Sequence, residues 1–64
     1  MGDQHLATYH YNGGIEIEVY GCWDKKTPDE QFDYYDLFLG EEHLNPGEIF
    51  SEWPTWEDAR GFLP

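Results

Sequence analysis

Asn12-Gly13-Gly14 divides two stretches in which apolar residues recur at every second position, Ala7-Tyr9-Tyr11 before it and Ile15-Ile17-Val19 after it. Asn and Gly accept the positive backbone dihedrals of a tight reversal, and period-two alternation marks strands with one buried face. The stretch from His5 to Tyr20 is therefore expected to form a β-hairpin. Opposed residues in an antiparallel pair share a face, so the loop length decides which side chains meet. A three-residue loop sets Tyr11 opposite Ile15 and Tyr9 opposite Ile17, gathering Ala7, Tyr9, Tyr11, Ile15, Ile17 and Val19 on one face. A two-residue loop sets the tyrosines beside Glu16 and Glu18 and turns Thr8 and His10 toward the isoleucines. The first register is preferred because its face is apolar. In either register Glu16 and Glu18 share the opposite, solvated face.

Residues 21–31 read as a polar connection, and the stretch Phe32 to Leu39 admits two structures. Thr27-Pro28-Asp29-Glu30 has the form of a helix start, with a Thr cap, Pro in the first turn and Glu closing a capping box, and Gly40 suits a helix end. The run Phe32-Asp33-Tyr34-Tyr35-Asp36-Leu37-Phe38-Leu39 is poor in good helix formers, and strand period puts Tyr35, Leu37 and Leu39 on one face. Strand is the preferred assignment. Gly40-Glu41-Glu42 then turns the chain into a returning segment, His43 to Phe50, that Asn45-Pro46-Gly47 breaks with a sequence suited to a type II turn. Thr55 and Asp58 repeat the capping-box pattern, and Trp56, Ala59 and Leu63 recur at helical spacing, predicting a two-turn helix at the end. The expected class is α+β. It comprises a three- to four-stranded antiparallel sheet, made of the N-terminal hairpin and a second hairpin, with a short C-terminal helix packed on it.

A chain of 64 residues is expected to form one small acidic domain over 1–64, since at this length folding buries only about 60% of the surface of the unfolded chain. Aromatic residues at 19% set it apart from charged sequences that stay unfolded. Fourteen acids against three Lys and Arg give a formal net charge of −11. Such an excess predicts repulsion from nucleic acid and anionic membranes and attraction to basic protein surfaces. It also opposes self-association, so a monomer or a weak homodimer is expected. The single cysteine, Cys22, cannot form an internal disulfide, and no run has the pattern of a signal peptide or a spanning helix. A reducing, cytoplasmic location is the expectation.

Residues that carry chemistry are sparse. Ser51 is the only serine and Cys22 the only thiol, and neither sits in a nucleophile-elbow or Cys-His context. A core this small leaves little volume for a pocket, so no enzymatic activity is expected. On a regular strand His5 and His10, five residues apart, point to opposite faces, which weakens a shared metal site with His43. Glu41-Glu42, Asp29-Glu30 and Glu57-Asp58 are adjacent pairs, whereas a calcium loop needs oxygens at alternating positions around a central glycine. No metal and no cofactor is expected.

The carboxylates make more sense as a field. From residue 27 onward the acids are Asp29, Glu30, Asp33, Asp36, Glu41, Glu42, Glu48, Glu52, Glu57 and Asp58, against Arg60 as the one base. They exceed what internal pairing neutralises, so most face water or a basic partner. Alternate residues on a strand stand roughly 6.5–7 Å apart. DNA offers a phosphate per roughly 3.4 Å of axial rise on each strand, with winding setting true neighbours further apart. The two spacings are comparable. Asp29, Glu30, Asp33, Asp36, Glu41 and Glu42 are the expected partner-binding residues, with Glu16 and Glu18 as a second patch. Phe50, Trp53, Trp56 and Phe62 cluster toward the C-terminus and serve either as core or, where exposed, as an interface hot spot.

A very short, acidic α+β chain beginning at Met1 resembles the small phage-encoded inhibitors of bacterial defence, the anti-CRISPR and anti-restriction proteins. The resemblance covers the chain as a whole and carries no residue-specific motif in stretches such as Tyr34-Tyr35-Asp36-Leu37 or Asn45-Pro46-Gly47-Glu48. It implies a DNA mimic that binds the basic DNA-binding surface of a host defence complex, works in the host cytoplasm and blocks access to target DNA. The alternative is an immunity or adaptor protein that caps a basic toxin or enzyme through an interface centred on an aromatic such as Trp53 or Trp56.

Overall fold

The computed structural model describes residues 2–24 and 32–64. They form a four-stranded antiparallel sheet in the order β1-β2-β3-β4, with β1 at Gly2–Tyr11, β2 at Ile15–Trp23, β3 at Tyr34–Leu39 and β4 at Glu42–His43, followed by helix α1 at Trp56–Arg60. The α+β class holds. The capping-box expectation at Thr27 to Glu30 lies outside the described residues.

The hairpin takes the three-residue loop. Tyr11 opposes Ile15, Tyr9 opposes Ile17 and Ala7 opposes Val19, with Gly13 and Gly14 at φ 84° and 75° in the loop. Both strands extend beyond the expected His5 to Tyr20, because Gly2 to Gln4 pair with Gly21 to Trp23. Gly21 does not end β2. Its missing side chain makes room for Phe32, whose ring atoms lie 2.5 Å from where a Cβ would stand.

β1 is not regular. The register shifts between His5 and Ala7, leaving Leu6 as an unpaired bulge. A bulge inserts one residue and so inverts the alternation beyond it. His5 therefore joins Thr8 and His10 on one face instead of pointing away from His10.

One face of the sheet is dry. Ile17, Val19 and Leu37 are fully buried together with Ala59 of α1, and Leu44, Phe50, Phe62 and Leu63 pack around them. This inner face is covered by the chain from Leu44 onward, and the tyrosines of β1 fasten it. Tyr9 Oη donates to the Pro54 carbonyl at 2.7 Å and Tyr11 Oη donates to the Trp56 carbonyl at 2.8 Å. Trp56 Nε1 returns a hydrogen bond to the His10 carbonyl at 2.9 Å. Tyrosine and tryptophan join an apolar ring to a polar tip, and here each tip finds a backbone partner.

The second hairpin is shorter than a strand pair. Gly40, at φ 63°, and Glu41 make the turn, whereas Glu42 already belongs to β4. Beyond His43 the edge of β3 is closed by other means. Asn45 is buried, its Oδ1 accepts the Leu37 amide at 3.0 Å, and its Nδ2 donates to the carbonyls of Tyr35 at 3.2 Å and Glu48 at 3.0 Å. The Tyr35 amide donates to the Phe50 carbonyl at 3.1 Å, an isolated bridge beyond β4. The Pro46-Gly47 turn is present, since the Glu48 amide donates to the Asn45 carbonyl at 3.1 Å. It is not type II, which requires positive φ at Gly47, and Gly47 is not in that region.

α1 has the expected cap and is shorter than two turns. The Asp58 amide donates to Thr55 Oγ1 and the Thr55 amide donates to Asp58 Oδ2, both at 3.0 Å. Leu63 reaches the core from the turn after the helix. No helix among the described residues is long and apolar enough to cross a membrane.

Candidate functional site

The face opposite the core is built by the bulge. Cross-strand pairing sets its rungs, starting near the hairpin loop, as His10–Glu16, Thr8–Glu18–Phe38–His43, His5–Tyr20–Asp36 and Asp3–Cys22–Tyr34. Every rung carries one carboxylate: Glu16, Glu18, Asp36 and then Asp3. Successive rungs on one face are roughly 6.5–7 Å apart along the strands. Without the bulge, Asp3 and His5 would have stood on the inner side.

All three histidines lie on this outer face, each against a carboxylate. His5 Nε2 meets Glu18 Oε1 at 2.6 Å, His10 Nδ1 meets Glu16 Oε2 at 3.2 Å, and His43 Nε2 lies 3.3 Å from Asp36 Oδ1. A carboxylate only accepts, so His5 Nε2 carries the proton of its bond. The His43 contact lacks hydrogen-bond geometry, and among the described residues its buried Nε2 has no hydrogen-bond partner. Thr8 Oγ1 also donates to Glu18 Oε1, at 2.7 Å. That bond, reinforced by His5, holds the Glu18 carboxyl below the ordinary carboxylate range against a smaller opposing effect of burial.

Cys22 sits on the last rung and is buried. Loss of water, and then the charge of Asp36 with the Sγ–H to Asp36 Oδ2 bond at 3.5 Å, push its thiol up to about 12. The result is an inert thiol. Among the described residues no three His, Cys, Asp or Glu side chains converge on a point that could hold a metal ion.

The expected binding residues divide. Glu16, Glu18 and Asp36 come together on the outer face, and Glu41 borders it beside Asp3 and Glu18. Glu42 opposes Leu39 and by alternation shares the side of that residue, away from Glu41. Asp33 stands at the end of the sheet, accepting the Asp24 amide at 2.9 Å. Asp29 and Glu30 lie outside the described residues. Nor do the acids after residue 27 form one field: Glu48, Glu52, Glu57 and Asp58 are exposed on the segment that covers the inner face. Strand alternation and the return of the chain across the core separate acids that are neighbours in sequence.

The chain matches no protein-family model, no curated protein and no solved structure.

Two features of the surface were not legible beforehand. A row of rings crosses the outer face with one ring from each strand. His5 meets Tyr20 edge-on at 5.3 Å, Tyr20 meets Phe38 edge-on at 5.5 Å, and Phe38 stacks on His43 at 5.0 Å. Tyr20 and Phe38 line a depression of about 320 Å³ with Asp3, Glu18, Gly40 and Glu41. On the other side a groove of about 820 Å³ runs between Tyr11, Ile15, Trp56, Arg60 and Leu63, larger than the length of the chain suggests. The ionisable side chains that line it are those of Tyr11, His10, Glu57 and Arg60, with no thiol or serine. The C-terminal aromatics split as well: Phe50 and Phe62 pack on the core, whereas Trp53 and Trp56 remain 49% and 43% exposed.

Proposed function

We propose that the chain is a non-enzymatic inhibitor that lays its outer sheet face into a basic DNA-binding groove and keeps DNA out of it. The observation that carries this reading is the carboxylate on every rung of one sheet face, the face opposite the core. Residues on a sheet hold their spacing without an ordering cost at the moment of binding, so the face is preorganised for a complementary row of cations. Anti-CRISPR and anti-restriction inhibitors of the DNA-mimic kind use the same principle, and a nucleic-acid-handling defence complex is the partner class proposed here. The −11 charge fits a protein that binds no nucleic acid itself.

Competition tests the proposal. The chain is immobilised, a bacterial lysate is passed over it at low salt, and the retained complex is challenged with duplex DNA and with salt. Release by both is expected, since DNA and carboxylates then contend for one site and screening weakens their attraction. Retention unchanged under saturating DNA overturns the proposal.

A second reading, an immunity or adaptor protein, is favoured by Ile49, Trp53 and Trp56, which are exposed on the opposite side. Under it, alanine at Trp53 abolishes binding while single acid changes slow association.

A further inference from the structure

Resting on the basic-partner reading above, we infer that the outer face recognises arginine rather than lysine side chains of its protein partner, with a guanidinium seated in the depression between Tyr20, Phe38, Asp3, Glu18 and Glu41. Three observations converge there. The ring row makes this part of the face half-buried and aromatic. Glu18 accepts from Thr8 and His5 through Oε1, and among the described residues no donor reaches its Oε2. Asp3 and Glu41 have no ion-pair partner among the described residues.

Rings beside carboxylates with free acceptor positions discriminate between cations. A guanidinium is planar and weakly hydrated, stacks on an aromatic face and donates through a rigid fork to a carboxylate at the same time. A lysine ammonium satisfies the charge but holds its water and cannot use the ring and the fork together. The surrounding carboxylates exclude a nucleobase, the other planar ligand that stacks on exposed sheet aromatics.

Octaarginine and octalysine, equal in length and charge, are the probes, titrated into the full chain at low salt and followed by NMR and calorimetry. Octaarginine is expected to bind about fivefold more tightly, the scale of an exposed ring–cation contact. The ring resonances of Tyr20 and Phe38 should shift while the indole resonances of Trp53 and Trp56 stay in place. Replacing both rings, Tyr20→Leu with Phe38→Leu, should remove the preference and leave octalysine affinity unchanged. Equal affinities in the unaltered chain, or shifts confined to the tryptophans, overturn the inference and leave the basic-partner reading standing; both measurements are independent of whether the double variant folds. A folded double variant that keeps the preference also overturns it. If neither peptide binds, the inference and the reading beneath it fall together.

Discussion

Burial of Cys22 beside the Asp36 carboxylate pushes its thiol up to about 12, so at pH 8 the reactive thiolate is scarce. The native protein is expected to resist iodoacetamide at that pH and to label fully once denatured. Rapid native labelling, followed by mass spectrometry, would contradict the burial described. Glu18 shows the opposite shift, chiefly through the Thr8 hydroxyl. A carboxyl lowered in the folded state adds stability that is present above its ordinary value of 4.5 and is lost as pH falls through the lowered value. In Thr8→Val the Glu18 carboxyl resonance should titrate closer to 4.5, and acid unfolding should begin at a higher pH. An unchanged Glu18 titration would remove Thr8 as the cause. Glu16 and Glu18 were identifiable from sequence because alternation fixes their face in either register. Asp3 was not, because its face depends on the Leu6 bulge, and nothing in the local sequence marks a bulge there.

The two edges of β3 are held differently. On one side β2 pairs with it by regular strand hydrogen bonds, and on the other, beyond the two residues of β4, Asn45 stands in for a strand by bonding Leu37 and Tyr35 with one side chain. Asn45→Ala leaves a buried amide and a buried carbonyl unpaired, which is expected to cost about 2–4 kcal/mol in urea unfolding. Asn45→Asp should cost more, since two donors become acceptors facing the Tyr35 and Glu48 carbonyls. A loss below about 0.5 kcal/mol for either variant would show that water replaces the bridge. The first hairpin and the C-terminal cap were legible because each rests on residues within a few positions of one another. The closure of β3 was not: the Asn45-Pro46-Gly47 sequence announces a turn, while the contacts that matter reach back eight and ten residues.

Among the described residues, most of the acids occupy two sides of a sheet whose interior is too thin to hold them. The outer side carries Asp3, Glu16, Glu18, Asp36 and the bordering Glu41, interleaved with histidines and rings, and the covering segment carries Glu48, Glu52, Glu57 and Asp58 beside the exposed tryptophans. Composition revealed the excess; only the topology shows which carboxylates stand together. The decisive measurement compares two variants of equal net charge on the partner recovered at low salt. One is Glu16→Gln with Glu18→Gln and Asp36→Asn, and the other is Glu48→Gln with Glu52→Gln and Glu57→Gln. The outer-face triple should lose at least about tenfold in affinity, a loss of about 1.4 kcal/mol, while the second triple stays within about twofold of the unaltered chain. Equal losses in the two triples would mean that net charge alone governs binding, and would contradict a site on the outer face.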